Sequence, residues 1–565
     1  MPDTATPRPG VIPAHVRSHL VGLLPGPADL APLRTSWRRD LVAGVTVGVV
    51  ALPLALAFGV SSGMGAAAGL VTAIVAGLVA AVFGGSNVQV SGPTGAMAVV
   101  LAPIVAQYGT QAVVAVAVIA GVILVAAGAL RLGRVVVYIP WPVIEGFTAG
   151  IALIIALQQV PLALDAASTP GEKTLPAAID AVRTADWTQA WVPLLVTLGV
   201  VLLIEALRRL PGSVPGALIA VVLATAVAEF AGLDVSRIGA LPSQLPLPSI
   251  PAIDLGILHE LTGPALAVAA LAAIESLLSA RVAAGMAPTG RVLPDREVFG
   301  QGLASIASGL FGGMPATGAI ARTAVNVRAG ARSRLAAVAH SLLLAGVVAV
   351  GAGLASRIPL SALAGVLIAT TVHMVDVREV RALVKVGRST AATFVATIAC
   401  TVLLDLITAV EIGVVLAAFF ALRALANTTH VDRENLPGWP APGDEHIAVL
   451  RVNGSVFFGA ADRIMDDIAD IDAWVVVLRL SKVELLDPTG AHRLAEVVQL
   501  LEARGVTVLI KGLRSKHERM AARAGVLEAL RTGEHQFDDL ELAVDHARSH
   551  VARQLAGHPV PRRRR

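Results

Sequence analysis

The chain has 565 residues, of which 55% are hydrophobic and only 15% charged, with a mean hydropathy of +0.74. Soluble globular proteins carry about a quarter charged residues, so this composition excludes a wholly water-soluble molecule. The formal net charge of +4 does not point to nucleic acid, because basic residues of a polytopic membrane protein collect in its cytoplasmic loops.

The first 32 residues are polar and proline-rich. They lack a positive region joined to an apolar stretch, so no cleaved signal peptide is expected and the first apolar segment acts as its own insertion signal. Between residues 41 and 130 there is no Asp, Glu, Lys, Arg or His. A spanning helix needs about 20 apolar residues, so this stretch holds roughly four crossings. Carried along the chain, apolar runs bounded by Gly, Pro and charges predict fourteen membrane segments. They are 41–59, 66–84, 93–107, 110–130, 137–159, 189–207, 214–232, 264–283, 298–312, 319–328, 333–353, 359–375, 389–404 and 406–425. The third and tenth, 93–107 and 319–328, are too short to cross about 30 Å of hydrocarbon at 1.5 Å per residue.

If all fourteen cross, the basic loops fall on one side: Arg34, Arg38 and Arg39; Arg131 and Arg134; Arg208 and Arg209; Arg328, Arg332 and Arg334; Arg378, Arg381, Lys385 and Arg388. That side is expected to be cytoplasmic, with both termini inside a cell membrane. The single cysteine, Cys400, lies in an apolar run and excludes intrachain disulfides.

After residue 426 the texture changes. Residues 446–453, 474–480 and 505–510 read as strands, alternating with amphipathic helices near 459–470, 488–504, 515–530 and 538–552, which predicts a small α/β domain. The expected division is a cytoplasmic segment 1–39, a membrane domain 40–426, a Pro/Gly-rich linker 427–444, a soluble domain 445–552 and a basic tail 553–565. Arg562 to Arg565 read as a solvated end or a contact for anionic lipid.

An internal repeat locates the site. Phe83-Gly84-Gly85 precedes Thr94-Gly95-Ala96, and Phe311-Gly312-Gly313 precedes Thr317-Gly318-Ala319; each leads into one of the two short segments. The copies lie seven segments apart, an odd number, so the halves are inverted in the membrane, and Gly/Pro-interrupted segments at matching places mark a transporter's site. A helix that starts in mid-membrane presents unpaired N–H groups and its positive dipole end to the gap. Two such ends favour a small anion. Pro93 suits the first turn of the third segment, and Thr94 and Thr317 add hydroxyl donors. A chance match of Gly- and Ala-rich stretches, serving ordinary helix packing, is the competing reading.

Ionisable residues within spans cost roughly 2.5–3.5 kcal/mol on insertion scales and are functional candidates. Glu275 lies centrally in the eighth segment and Arg322 one turn into the tenth. They read as a titratable proton-coupling residue and a fixed positive charge, or as a structural ion pair. Glu145, Glu205, Glu229, Asp405 and Glu411 lie near segment ends and read as interfacial. There is no GxxxxGK[ST] phosphate loop, the thirteen histidines are scattered, and no Cys or His cluster has metal-ligand spacing, so neither ATP-driven transport, an enzyme, a cofactor nor a metal site is expected.

The membrane part resembles the sulfate permease (SulP) anion transporters. The matching stretches are Asp40-Leu41-Val42-Ala43-Gly44, Gln89-Val90-Ser91-Gly92-Pro93-Thr94-Gly95, Ile139-Pro140 with Val143-Ile144-Glu145-Gly146-Phe147, Ile274-Glu275-Ser276-Leu277-Leu278, Gly300-Gln301-Gly302 and Gly313 through Thr323. The soluble part resembles a STAS domain, whose D-[ST]-[ST]-G pattern is met in part by Asp487-Pro488-Thr489-Gly490.

The resemblance implies a seven-plus-seven inverted repeat divided into core and gate subdomains, an elevator-like motion and a homodimer. It places the anion against Thr94, Gly95, Ala96, Thr317, Gly318, Ala319 and Ile320, with Arg322 behind and Ser279 and Pro53 as ancillary residues. Sodium-coupled bicarbonate members carry Asp where Glu275 stands and a hydroxyl residue where Ile320 stands, so this chain is expected to couple to protons instead. Many sulfate members carry Gln where Leu54 follows Pro53, which moves the expected substrate toward bicarbonate or a C4-dicarboxylate, with sulfate behind. Thr489 stands where related soluble anti-sigma antagonists are phosphorylated, although Pro488 replaces a hydroxyl residue. The helix that follows is expected to dock a cytoplasmic protein. A passive anion channel or exchanger, and an anion-sensing signalling protein acting through the STAS domain, remain as alternatives.

Overall fold

The computed structural model describes residues 14–557 except 135–139, 167–172, 211–214, 250–255, 257, 289, 405 and 470. Ile139, Asp405 and the basic tail from residue 558 onward therefore lie outside the described residues. Two units emerge, dividing between Val414 and Val415.

The first unit is helical. The predicted crossings are Leu33–Ser61, 66–83, 95–108, 110–129, Trp141–Leu164, Trp191–Arg208, Gly216–Phe230, Leu258–Met286, Pro294–Leu310, Ile320–Arg328, Leu335–Ala355, Leu360–Met374, Arg388–Leu403 and Leu406–Asn427. The chain is a multi-pass helical membrane protein. The third and fourth segments join across Gly109, whose φ of 79° breaks the helix in a conformation that costs other residues strain. The second carries a π-helical turn at Thr72–Ala76. Two amphipathic helices had not been expected, Thr174–Thr184 and Val377–Val386.

Packing sorts the segments into two groups. The third and fourth pack on the eighth and ninth, the first on the eleventh, and the eighth on the tenth; separately, the fifth packs on the twelfth and thirteenth, and the sixth on the seventh and twelfth. These are the two subdomains of a seven-plus-seven inverted repeat. Small residues permit the closest approach. A Cβ on Gly302 would stand 2.6 Å from the Gly121 carbonyl oxygen, and one on Gly121 would stand 2.7 Å from that of Gly302, so the fourth and ninth segments touch backbone to backbone.

The second unit holds a five-stranded sheet. Numbering strands along the whole chain, β1 (Ser91–Gly92) and β2 (Thr317–Gly318) belong to the membrane unit, and β3 (His430–Glu434), β4 (Ile447–Val456), β5 (Val475–Leu486), β6 (Thr507–Lys511) and β7 (Gln536–Phe537) form this sheet in sequential order. β3 runs antiparallel to β4, and the remaining neighbours are parallel. The parallel strands are buried on both faces, as helix-connected strands must be. Ala448, Leu450 and Val452 face one apolar cluster, and Ile447 and Val449 face another closed by the final helix, Leu540–Leu555.

Two corrections follow for this unit. The Pro/Gly-rich stretch 427–444 is not all linker, because β3 lies within it; alternation is too short there, and its side chains too polar, to signal a strand. The histidines are not all scattered either. His535, His546 and His550 converge, with ligand-capable nitrogens all within 4.8 Å of one another.

Candidate functional site

The extended stretches that precede the two half-helices meet as β1 and β2, with Ser91 opposite Gly318 and Gly92 opposite Thr317 in antiparallel register. The Ala319 amide extends this ladder by donating to the Val90 carbonyl at 2.9 Å. Antiparallel pairing sends the following helices away from a shared centre, with their N-termini beside it.

Thr94 caps the third segment: its backbone is extended and its Oγ1 accepts from the Met97 amide at 3.4 Å. Pro93 therefore stands one residue before the cap rather than in the first turn. The Gly95 and Ala96 amides, and those of Ile320 and Ala321, head their helices without intrahelical acceptors. Gly95 packs closely on the fifth segment: a Cβ there would stand 2.2 Å from Ile155 Cδ1, so that side chain would have to move.

Both half-helices open on one cleft of about 530 Å³, open space included, lined by Ala96 from the third segment, Ile320 from the tenth and Glu275 from the eighth. Its remaining wall is mostly apolar, with Val143, Phe147 and Ile151 of the fifth segment opposite. Glu275 Oε2 accepts from Thr94 Oγ1 at 2.9 Å and from Thr317 Oγ1 at 2.7 Å. The threonine hydroxyls expected to face the anion thus bond the Glu275 carboxylate instead.

Arg322 lies behind this layer, 2% exposed. Its Nη2 donates to the Pro93 carbonyl at 2.5 Å, and its Nη1 has no hydrogen-bond partner among the described residues. Among the described residues it makes no direct ion pair with Glu275, whose carboxylate is bonded by Thr94 and Thr317 instead. Gly92 leaves room for the guanidinium, because a Cβ there would stand 2.6 Å from Nη1. Gly318 is buried, and its amide donates to Ser276 Oγ at 2.9 Å. Ser279 is turned to Thr323, its Oγ donating at 3.1 Å, and Thr323 Oγ1 accepts from the Val90 amide at 3.1 Å. Pro53 is buried within the first segment and does not line the cleft.

The sequence pattern assigned no role to two buried carboxylates that tie elements together here, Glu297 and Asp40. Glu297 accepts from Gln89 Nε2 (2.8 Å), Gln301 Nε2 (2.9 Å), and the Gly85 and Ser86 amides (2.7 and 3.1 Å). Gln301 Nε2 also donates to Ser91 Oγ at 2.6 Å, tying the ninth segment to β1. The available signal was the four-residue spacing of Glu297 and Gln301 on one helix face. Asp40, fully buried, accepts from the Arg332 and Ser333 amides at 2.7 and 3.1 Å and from Ser36 Oγ at 2.6 Å, fixing the first segment to the loop before the eleventh.

The family model described as the sulfate permease family matches residues 37–397, and the STAS domain model matches residues 439–543. The chain belongs to the sulfate permease family. It is similar to the "Putative sulfate transporter YvdB" of Bacillus subtilis, 33% identical over 513 residues that cover 89% of this chain and 96% of that one. It is also similar to the "Bicarbonate transporter BicA" of Synechocystis, 32% identical over 508 residues covering 85% of this chain and 89% of that one. The solved transmembrane domain of a cyanobacterial BicA aligns with a TM-score of 0.61 at 34% identity, covering 66% of this chain and 97% of that one. The murine Slc26a9 anion transporter, in its inward-facing state, shares the fold with a TM-score of 0.82 at 17% identity and 96% coverage of both chains.

In the STAS domain of this sulfate permease relative, Asp487 caps the helix Pro488–Ala503 by accepting from the Gly490 amide at 2.7 Å. Thr489 is exposed in that helix's first turn.

Proposed function

We propose that this sulfate permease family member carries a small anion by proton-coupled symport, with an elevator-like movement of one subdomain against the other. The carrying observation is that Ala96, Ile320 and Glu275 line a single cleft. Unpaired helix-start amides supply partial positive charge there, and the carboxylate beside them supplies a protonatable group. An anion entering the cleft and a proton on Glu275 together add no net charge to an apolar pocket, which lowers the desolvation cost that either would meet alone.

The apolar wall bears on substrate. Desolvation cost scales with the square of charge, so a dianion pays about four times what a monoanion pays. This favours bicarbonate, or a C4-dicarboxylate in its singly charged form, over sulfate. The relatives' names include both sulfate and bicarbonate transport, so the assignment is open to a direct test. Purified protein in proteoliposomes, given an inward proton gradient, should accumulate labelled bicarbonate, with C4-dicarboxylates competing better than sulfate. Equal uptake with and without the gradient would replace symport by passive passage or exchange. In the proposed arrangement both termini are cytoplasmic, the transporter is a homodimer in the cell membrane, and the STAS domain docks a cytoplasmic protein, with Thr489 as a phosphorylation site.

A further inference from the structure

His546 and His550 are four residues apart on the final helix, Leu540–Leu555, and so share one face. Their Nε2 atoms lie 3.1 Å apart. His535 reaches the same point from the turn before β7, and the three ligand-capable nitrogens all fall within 4.8 Å of one another. His535 is 2% and His550 8% exposed, while His546 is half-buried.

His535 Nδ1 is buried and has no hydrogen-bond partner among the described residues. A buried imidazole nitrogen without a partner is costly, and a metal ion at this point would satisfy it.

From this geometry we infer a divalent-metal site formed by His535, His546 and His550, taking a late first-row ion such as Zn²⁺. Three imidazole nitrogens suit Zn²⁺, and equally Co²⁺, Ni²⁺ and Cu²⁺, better than the oxygen-seeking Mg²⁺ or Ca²⁺. Zn–N bonds of about 2.0–2.1 Å in a tetrahedron set ligand nitrogens about 3.3 Å apart. The His546–His550 pair already has that spacing, and small side-chain rotations bring His535 to it. The fourth position opens where His546 is half-exposed, and water fills it.

Two arginines, Arg531 and Arg553, face the cluster. Arg531 is held by Glu502 in an ion pair of 2.8 Å. Of the other charges facing the cluster, exposed Arg553 is opposed in part by Glu534 at His546. The bound ion would fasten the last helix to the β6–β7 edge of the sheet, where β7 contributes only two residues.

The test uses full-length protein in detergent, purified through a histidine-free affinity tag and stripped with EDTA. At about micromolar free Zn²⁺, metal analysis should find one ion per chain, and Co²⁺ should give the intense visible bands of a tetrahedral site. Hydrogen exchange across Leu540–Leu555 should slow when Zn²⁺ is added. His546→Gln, at a half-buried position that keeps the fold, should weaken Zn²⁺ binding at least tenfold and remove the Co²⁺ bands, as should His550→Gln. Exposed His492→Gln is the control and should change nothing. No bound metal in the wild-type chain, or unchanged occupancy in His546→Gln, would overturn the site and leave the three rings as a neutral packing cluster.

Discussion

Thr94 and Thr317 occupy the same place in the two inverted copies, and both donate their hydroxyls to one oxygen of Glu275, at 2.9 and 2.7 Å. The repeat therefore brings symmetric residues to an asymmetric partner: Glu275 comes from the eighth segment, in the second half. Two donors on one oxygen favour the ionised carboxylate, while the apolar wall of the cleft opposes it. In the proposed symport, a group balanced in this way is the one that exchanges the coupled proton.

Glu275→Gln keeps the size and the hydrogen-bonding shape but cannot exchange a proton. Accumulation driven by a pH gradient should fall by at least tenfold, the scale of ordinary coupling free energies. Exchange of labelled for unlabelled anion at equal concentrations should persist. Gradient-driven uptake that survives intact in the variant removes Glu275 from coupling.

Thr317→Val deletes one donor to the carboxylate without touching a helix cap. Thr94→Val deletes the other donor and also the cap of the third segment, worth about 1 kcal/mol. Both variants should lose uptake, but only Thr94→Val should also show a lowered midpoint in thermal unfolding of the detergent-solubilised protein. Equal unfolding midpoints for the two would mean that Thr94 does not stabilise the half-helix.

Gly302→Val probes the contact that holds the fourth segment to the ninth. Its Cβ would come within 2.6 Å of a backbone oxygen, and backbone cannot rotate away as a side chain can. The expected cost is about 1–3 kcal/mol, the range for overpacked interiors, read as reduced thermal stability. Gly285→Ala, where a Cβ meets nothing within 4 Å, should be close to neutral in the same assay. If both substitutions behave alike, close helix packing is not what the glycine provides.

Much of this was legible in the chain. The charge-free run and the repeated FGG and TGA motifs located the half-helices, because bilayer thickness and inverted topology leave few alternatives. What was not legible was partnership. Thr94 and Thr317 had the right chemistry for an anion, yet which acceptor they meet depends on how the eighth segment packs, and no spacing rule encodes that. Arg322 and Glu275 looked like a pair because each needed a partner, whereas a backbone carbonyl at Pro93 serves the arginine. The four-residue spacing of His546 and His550 was visible, but His535 arrives through the sheet edge.

The strand missed at residues 430–434 decides how the soluble domain can be removed. β3 pairs with β4 across five residues, His430 opposite Asn453 through Glu434 opposite Val449. Its Glu434 also bonds Arg451 and Arg479, at 2.7 and 2.8 Å. A chain cut at residue 440 would keep β3 while losing β4, its only neighbour in the sheet among the described residues, leaving exposed a strand whose backbone groups seek another chain. A chain cut after Asn427 removes the strand with its partner. Size-exclusion chromatography of the two truncations in the same detergent should show a monodisperse peak for the cut at 427 and association for the cut at 440. The 427 form should also retain gradient-driven uptake, because the cleft is lined by residues from Ala96 to Val410. Loss of uptake in a monodisperse 427 form would show that transport needs the STAS domain.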